Sequence, residues 1–400
     1  MSNNSPSISM KYLFLTFLKI GSFSFGGFMA LIAVLQKQMV EEDKKLDPQI
    51  LLDGVSLAAV LPGPLAVNTV GFVGYKLRGF WGGLLSMFAV TLPCFLLVLM
   101  FSVFYFQFGE LEMFKTIIAW VMPAIVVIIV TVVVNMSKKH LAGVGHYLLG
   151  LTSLFLSQWV GGVMTTMGIM LAGAVIGYFF FYKQEVKTTE PTRDSPKSHL
   201  LKSLTELLAL MMATLFLLFI GLGHTEWLSN MEVLLTFSSM SLTLFGGGYV
   251  IIPIIQESIV SSMQWLTFSE FNTAIAISQL TPGPILISAC FIGYKVAGMT
   301  GACLATIGIF LPSGLLMITC SHWLGQFKEN LALKAIFTGL RPVVIGLIMS
   351  AAVTIGSDTL REWSGIISFG ILLVCSLWFK TSTPMLMLTA LGIGLIGFLL

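Results

Sequence analysis

The sequence predicts an all-α membrane protein of about 13 transmembrane helices, built from two homologous repeats in inverted topology. Apolar residues make up 56% of the 400-residue chain, charged residues make up 10%, and the mean hydropathy is +0.95. A soluble domain carries about 25% charged residues. Apolar stretches of roughly 20 residues recur, and a helix of that length crosses a ~30 Å hydrocarbon core. The helix-breaking segment Leu61-Pro62-Gly63-Pro64 also returns, as Thr281-Pro282-Gly283-Pro284.

The predicted helices form two groups on either side of a polar segment. The first group is 12–36, 50–74, 79–105, 114–135, 142–160 and 162–182. Residues 183–200 contain several charges and two prolines, which is typical of a linker. The second group is 201–222, 232–256, 270–293, 298–321, 333–354, 363–379 and 384–400. We therefore expect a first repeat at 1–182, a cytoplasmic linker at 183–200, a connecting transmembrane helix at 201–222 and a second repeat at 223–400.

The two repeats align over most of their length. Up to the Pro-Gly-Pro motif, one constant offset pairs Phe25-Gly26-Gly27 with Phe245-Gly246-Gly247. Beyond the motif the offset is smaller by one, and it pairs Gly74-Tyr75-Lys76 with Gly293-Tyr294-Lys295. The second copy therefore lacks one residue shortly after its Pro-Gly-Pro.

The odd number of spans predicts that the repeats have opposite orientations. Six spans return the chain to its starting side, and helix 201–222 then crosses once more before the second repeat begins. With a cytoplasmic N-terminus, thirteen Lys and Arg side chains lie inside and six outside, which follows the positive-inside rule, although the 37–47 loop opposes it. We expect a multi-pass protein of the cell (plasma) membrane. Inverted repeats are a recurring plan of secondary transporters.

The repeated motifs predict helix breaks near the middle of the bilayer. Proline lacks an N–H group, and glycine permits backbone angles that a helix does not use. Broken backbone at membrane depth is tolerated only when it is buried in protein or lines a wet cavity. A helix that restarts there presents free N–H groups and a positive dipole end, which suits an anion. A kink or close helix packing is the alternative interpretation. The predicted binding residues of these motifs are Gly26, Gly27, Pro62, Gly63, Pro64, Gly246, Gly247, Pro282, Gly283 and Pro284.

Four further side chains are candidates for the same site. Lys19 lies seven residues before Gly26 and would face a cavity, or would instead extend to the inner membrane surface. Arg341 is expected near a helix start, where its guanidinium would bind an oxyanion or mark the membrane boundary. Asn68 and Ser288 each lie six residues after the first proline of their Pro-Gly-Pro motif. They would donate hydrogen bonds to a substrate or to a neighbouring helix.

Several other functions lack support in the sequence. The five cysteines lie in apolar segments without C-x-x-C spacing, and the histidines are scattered, so no metal site is expected. No H-E-x-x-H, G-x-S-x-G or phosphate-loop motif is present. We expect no enzyme activity, no cofactor and no nucleic-acid partner.

The motif combination resembles the chromate ion transporter family in its long, two-repeat form. The residues that carry the resemblance are Phe25-Gly26-Gly27, Leu61-Pro62-Gly63-Pro64, Leu92-Pro93, Phe245-Gly246-Gly247-Gly248, Pro282-Gly283-Pro284 and Phe310-Leu311-Pro312-Ser313. The resemblance implies transport of chromate, with sulfate as a related dianion, and chromate resistance through export. Members of this family often have proline directly after the first Phe-Gly-Gly, where this chain has Phe28.

These observations predict a secondary transporter that carries a tetrahedral oxyanion by alternating access. Backbone N–H groups at the broken helices would hold the dianion, Lys19 and Arg341 would offset its charge, and the two repeats would rock about the site. The expected partners are chromate or sulfate, the lipid bilayer, protons as coupling ion and a second copy in a homodimer. A carrier of another small anion or solute, and a non-transporting membrane protein, are the alternatives.

Overall fold

In the part of the chain that the computed structural model describes, all regular secondary structure is helical. That part consists of residues 8–25, 28–108, 112–141, 143–161, 163–181, 228–244, 251–321, 331–361, 363–379, 381 and 383–399. The linker 183–200, helix 201–222 and the glycines Gly26, Gly27, Gly246 and Gly247 lie outside these residues.

The described part of the first repeat contains seven helices. They are α1 (Met10–Phe23), α2 (Phe28–Leu35, continued by the π-helix Gln36–Glu42), α3 (Pro48–Val60), α4 (Leu65–Phe108), α5 (Glu112–His140), α6 (Val144–Val160) and α7 (Val163–Ile176, continued by the π-helix Gly177–Phe181). Side-chain caps define two of the starts, because Ser9 accepts the Tyr12 N–H and Asp47 accepts the Gln49 N–H.

The described part of the second repeat follows the same order. Its helices are α8 (Leu228–Thr243), α9 (Ile251–Ile255, continued by the π-helix Gln256–Ser262), α10 (Phe268–Leu280), α11 (Ser288–Cys320), α12 (Leu331–Thr359), α13 (Trp363–Trp378) and α14 (Thr383–Leu399). Local geometry repeats as well. Lys44 and Gln264, which occupy equivalent positions in the two repeats, are the non-glycine residues with positive φ among those described, at 49° and 54°. Each lies in the loop that follows its π-helix.

A 3₁₀ turn accounts for the residue that the second repeat lacks. In the first repeat, α4 begins directly after Pro64. In the second, Ile285–Ile287 form a 3₁₀ turn before α11 begins at Ser288. Three 3₁₀ residues rise about 6 Å, which is the rise of four α-helical residues. The two copies therefore reach the same height with one residue fewer in the second.

The regions around the breaks fold as hairpins, which corrects the predicted spans 12–36, 50–74 and 270–293. The Lys19 Nζ donates to Gln38 Oε1 at 2.7 Å, and Tyr12 hydrogen-bonds Asp43, so α1 and α2 run antiparallel. A Cβ atom on Gly54 would lie 2.8 Å from the Phe72 ring, which places α3 antiparallel to the start of α4.

The same arrangement holds at the second Pro-Gly-Pro motif. The Lys295 Nζ lies 2.7 Å from Glu270 Oε1, and this ion pair joins the two ends of the hairpin around Gly283. For the fourth predicted span of this kind, 232–256, the connection between α8 and α9 lies outside the described residues. At the three hairpins whose contacts are described, each motif is thus the tip of a hairpin that enters and leaves on one side, and not a break within a single crossing.

A sharp turn divides α4, and its equivalent divides α11. Gly79 has φ 67° and Gly298 has φ 59°, so the chain reverses at both positions. In α4 the two arms lie against each other with almost no side-chain volume between them, because a Cβ on Gly82 would lie 2.5 Å from the carbonyl oxygen of Gly74. In α11, Gly293 and Gly301 make the equivalent backbone contact. Small residues permit this close approach of two helices.

Equivalent helices of the two repeats pack antiparallel. Met87 contacts Gly314, and Gly83 lies against Ile318, so α4 and α11 run in opposite directions at this contact. Most of the helices also sort into two bodies that mix the repeats, while α10 contacts members of both. In the first, α1 and α3 pack on α4, α8 packs on α11, and α4 packs on α11. In the second, α5 packs on α12, α13 and α14, while α12 also packs on α6 and α7.

Hydrogen bonds cross between the repeats inside the second body. Ser153 Oγ donates to the Val343 carbonyl at 3.0 Å, and Ser368 Oγ donates to the Trp120 carbonyl at 2.9 Å. The two repeats are therefore interleaved within each body.

The chain is a multi-pass membrane protein. Within the described ranges, four helices are long and apolar enough to cross a membrane, namely Leu65–Phe108, Ala119–Lys138, Ile285–Cys320 and Ala335–Ser357. Shorter apolar helices include Pro48–Val60, Gly168–Phe180, Trp363–Ser376 and Met385–Leu395. The predicted spans from 79 to 182 and from 298 to 400 match α4 to α7 and α11 to α14 closely, whereas the total of thirteen crossings is not confirmed.

Candidate functional site

Two hydrogen bonds join the repeats at the tips of the hairpins. The Gly63 N–H donates to the Leu244 carbonyl at 2.6 Å, and the Gly283 N–H donates to the Ser24 carbonyl at 2.9 Å. Each Pro-Gly-Pro tip therefore contacts the residue that precedes the Phe-Gly-Gly motif of the other repeat. We call the contact of Gly63 with Leu244 the first junction and that of Gly283 with Ser24 the second junction.

Both central glycines adopt a backbone conformation that other residues avoid. Their φ angles are 113° and 118°. At the first junction a Cβ on Gly63 would overlap the side chain of Ser313 and would lie 2.8 Å from Asn68 Nδ2. At the second, a Cβ on Gly283 would lie 3.0 Å from the Cβ and Sγ atoms of Cys94. Glycine is needed at both tips, for its φ angle and for the space.

The four prolines shape the tips. Pro62, Pro64, Pro282 and Pro284 are all buried. The Pro64 carbonyl accepts the Asn68 N–H at 2.9 Å and so starts the first turn of α4. A helix start leaves its first N–H groups without partners inside the helix. In both repeats these groups lie directly beyond the Pro-Gly-Pro motif, where an anion is stabilised by the helix dipole.

The junctions lie deep in the protein. Cys94, which contacts Gly283, lies midway along the arm of α4 that runs from Phe80 to Phe108. The second junction is thus level with the middle of a helix about 43 Å long. Cys94 and Ser313 are both completely buried.

Two of the predicted polar residues have unsatisfied side-chain atoms at these tips. Asn68 and Ser288 have no exposed surface. Among the described residues, Asn68 Oδ1 and Ser288 Oγ have no hydrogen-bond partner. Asn68 Nδ2 donates to the Pro62 carbonyl at 3.1 Å, which fixes the orientation of the amide because a carbonyl oxygen cannot donate. Buried polar atoms are nearly always paired, so these two oxygens are candidates for contact with a substrate or an ordered water.

The two predicted basic residues take different positions. Lys19 is exposed, is held by Gln38 and lies five residues before Ser24, about 7 Å along α1. It is therefore close to the second junction. Arg341 is also exposed. It was expected near a helix start, but it lies ten residues inside α12. The neighbouring Pro342 carbonyl faces Gly150 of α6, so this part of α12 belongs to the second body.

The residues that contact the two tips were not predicted from the sequence. Ser241 Oγ donates to Ser313 Oγ at 2.9 Å beside Gly63, and Cys94 occupies the place of Ser313 at the second junction. The motifs Leu92-Pro93 and Leu311-Pro312 precede Cys94 and Ser313 directly and were the available signal. Nothing in the sequence indicated that each tip would pack on the other repeat.

A family model for chromate transporters matches the chain twice, at residues 11–178 and 231–398. The chain belongs to the chromate transporter family. The two matches are separated by the same interval as the two Phe-Gly-Gly motifs, which agrees with the duplication, and together they include every junction residue described above.

Relatives of similar length support this assignment. The chain is 28% identical to a probable chromate transport protein of Synechococcus elongatus, over 98% of this chain and 96% of that protein. It is 26% identical to a chromate transport protein of Cupriavidus metallidurans, over 99% and 95%. It is also 29% identical to an uncharacterized transporter of Methanocaldococcus jannaschii, over 90% and 87%. No solved structure matches the chain.

Proposed function

We propose that this protein carries chromate, a tetrahedral oxyanion, across the cell membrane by alternating access, and that sulfate enters the same site. The observation that supports this most strongly is the pair of junctions, where helix breaks of both repeats meet deep in the protein. The names of the relatives supply the substrate. Export, and a proton gradient as its driving force, are part of the proposal.

The anion binds at the helix starts beyond the two Pro-Gly-Pro tips. In this structure the Gly63 and Gly283 N–H groups bind carbonyl oxygens, so they hold the junctions closed. The donors open to an anion are the first-turn N–H groups that follow Pro64 and Pro284, together with the Ser288 hydroxyl. Asn68 shapes the first tip through its bond to Pro62. Gly26, Gly27, Gly246 and Gly247, which lie outside the described residues, stay sequence-based predictions for the same site.

Charge at the site comes from Lys19 more directly than from Arg341. An ammonium group held at the end of α1 is within reach of a dianion at the neighbouring tip, and two helix dipoles add to it. Arg341, on α12, would act only when the two bodies approach during transport. Replacement of Lys19 is therefore expected to weaken substrate binding more than replacement of Arg341.

The motion that exposes the site is a movement of one body against the other. The junction hydrogen bonds tie the hairpins of both repeats together, and α5 to α7 are interleaved with α12 to α14. Rocking of one whole repeat against the other would disrupt both bodies. Rocking of the two repeats, which the sequence suggested, is therefore not the motion we propose. Instead, the first body, which includes α4 and α11, shifts along the second body, formed by α5 to α7 and α12 to α14.

The hairpins also improve the charge balance across the membrane. Because α1 and α2 enter and leave on one side, Lys37, Lys44 and Lys45 join Lys11 on the same side of the membrane. The 37–47 loop, which opposed a cytoplasmic N-terminus in the sequence analysis, then supports it. The crossing predicted at 201–222 would still invert the second repeat.

Everted membrane vesicles test the proposal. Vesicles that contain the protein are expected to accumulate chromate when an inward-acid gradient is imposed, and unlabelled sulfate is expected to compete. The matched variants are Ser288→Ala, which removes a hydroxyl at the site, and Gly168→Ala, which adds a methyl group where no atom lies within 4 Å. Reduced uptake by S288A with normal uptake by G168A supports the site. If verified folded protein gives no uptake in either vesicle orientation, the proposal is wrong.

A further inference from the structure

The two junctions are equivalent in backbone but differ in side-chain oxygens. The first junction contains Asn68, Ser241 and Ser313. At the positions equivalent to Ser241 and Ser313, the second junction has Gly21 and Cys94. The duplicated fold thus has a polar cluster at one junction and small or weakly polar residues at the equivalent positions of the other.

The oxygen atoms of the first junction are close together and neutral. Ser241 Oγ and Ser313 Oγ are 2.9 Å apart, and a Cβ on Gly63 would touch both the Ser313 side chain and the Asn68 amide. The Pro62 and Leu244 carbonyls each accept one hydrogen bond here, from Asn68 Nδ2 and from the Gly63 N–H. A carbonyl oxygen has two lone pairs, so each keeps one for a further contact.

One acceptor in this cluster has no donor. Asn68 Oδ1 is completely buried and has no hydrogen-bond partner within the described part of the chain. An amide oxygen can only accept, so the group that satisfies it must be a donor or a cation. An oxyanion would repel this oxygen unless it carried a proton.

We propose that the first junction binds a sodium ion, and this inference rests on the transport function proposed above. The ligands are Asn68 Oδ1, the hydroxyl oxygens of Ser241 and Ser313, and the carbonyl oxygens of Pro62 and Leu244. The set has no carboxylate or thiolate, so it suits a monovalent hard cation and not Mg²⁺, Ca²⁺ or a transition metal. Unwound backbone and side-chain oxygens at helix breaks are the usual setting for a coupling sodium ion in membrane carriers.

The position explains how a cation would assist anion transport. The sodium ion would lie at the end of α3, where carbonyl oxygens point, and the anion at the start of α4, where N–H groups point. Opposite charges on the two sides of one tip stabilise each other, so each ion raises the affinity for the other. The second junction lacks the equivalent serine hydroxyls, so we expect one sodium ion for each chain.

The purified full-length protein in detergent tests the cation site without any substrate. The thermal unfolding midpoint is measured in sodium, potassium and choline chloride at equal ionic strength. A ligand that binds only the folded state raises the midpoint in a saturable way. We expect this rise with Na⁺ and not with K⁺ or choline. Equal responses to the three cations would overturn the assignment.

The second repeat supplies matched variants. Ser241→Gly with Ser313→Cys gives the first junction the residues that the second already has in the same backbone, so the fold is expected to survive. This double variant should lose the sodium response, whereas Cys94→Ser and Ser288→Ala should keep it. If the double variant does not fold, Ser313→Ala alone is expected to raise the sodium concentration at half-response about tenfold. A normal response in the folded double variant, or in Ser313→Ala, would contradict the proposal.

Transport in proteoliposomes separates this inference from the proposed function. Sodium at equal concentration on both sides of the membrane, compared with choline, is expected to increase chromate uptake several-fold by the unmodified protein and not by the double variant. A sodium-specific thermal response without any chromate transport would support the cation site and remove chromate as cargo. Chromate transport that is identical in sodium and choline, with no thermal response, would support the carrier and remove the cation site.

Discussion

Replacement of Gly63 by alanine is the sharpest test of the junctions. The new Cβ would overlap the Cβ and Oγ atoms of Ser313, which lie on a helix of the other repeat. Because Gly63 has φ 113°, alanine is also strained there before any contact is made. Overpacking costs about 1–3 kcal/mol and an unfavourable backbone conformation about 1–3 kcal/mol. Because a small shift of the tip relieves part of both costs at once, we expect the free energy of unfolding to fall by about 2–4 kcal/mol.

Replacement of Gly283 by alanine gives a comparison for the destabilisation caused by Gly63→Ala. The φ angle of Gly283 is 118°, but the nearest atoms, on Cys94, would lie 3.0 Å from the new Cβ, and the Cys94 side chain can shift by the few tenths of an ångström required. The strain is then mainly that of the backbone, about 1–3 kcal/mol. Gly168→Ala, with open space around it, should change stability by less than about 0.5 kcal/mol.

Thermal unfolding of the purified variants in detergent measures this order. The account predicts the lowest midpoint for G63A, an intermediate midpoint for G283A and an unchanged midpoint for G168A. Chromate uptake should follow the same order, because a displaced tip cannot form the site. A G63A protein as stable as G168A would show that the tip does not pack on Ser313, and the geometry of the first junction would be wrong.

Three further predictions concern the hairpins and the helix contacts. A cysteine at Lys44 should react with a membrane-impermeant maleimide in everted vesicles and not in intact cells; the opposite pattern would contradict the hairpin topology. Glu270→Gln, which breaks a half-exposed ion pair with Lys295, should lower stability by about 1 kcal/mol and more at low salt, as read from thermal midpoints; salt-independent behaviour would argue against the pair. Gly293→Ala would overlap the carbonyl of Gly301 and should cost about 1–3 kcal/mol; an unchanged midpoint would refute the close contact of the two arms.

Much of the fold could be predicted because each full-length helix has a local signal. The predicted span 142–160 corresponds to Val144–Val160, and 363–379 corresponds to Trp363–Trp378. Apolar length and the turn residues at each end suffice for such elements. The interruption at Pro-Gly-Pro was equally local, because proline and glycine exclude a continuous helix wherever they occur together.

The hairpins could not be predicted in the same way. A long apolar stretch with a central break has the same composition whether its halves continue in one direction or turn back. The contacts that show the halves turning back, such as Tyr12 with Asp43 and Glu270 with Lys295, join residues far apart in sequence. The junctions are more distant still, since Gly63 and Leu244 lie on different repeats.

The sequence suggested candidate site residues, but it did not indicate how they are assembled. Asn68 and Ser288 were chosen for their distance from the prolines, and both are buried with an unsatisfied oxygen. The sequence also suggested that the Gly63 and Gly283 N–H groups would face the anion, whereas here they bind Leu244 and Ser24. Only the folded arrangement shows which N–H groups are already used.

Counterflow in proteoliposomes tests the central claim most directly. Purified protein is reconstituted, the lumen is loaded with unlabelled chromate, and the uptake of labelled chromate is followed without any ion gradient. A carrier that alternates between two faces predicts faster uptake into loaded than into empty liposomes, with the Gly168→Ala protein behaving normally and the Gly63→Ala protein slowed. Uptake that does not depend on internal chromate would indicate a channel or a leak, and it would contradict alternating access at the two junctions.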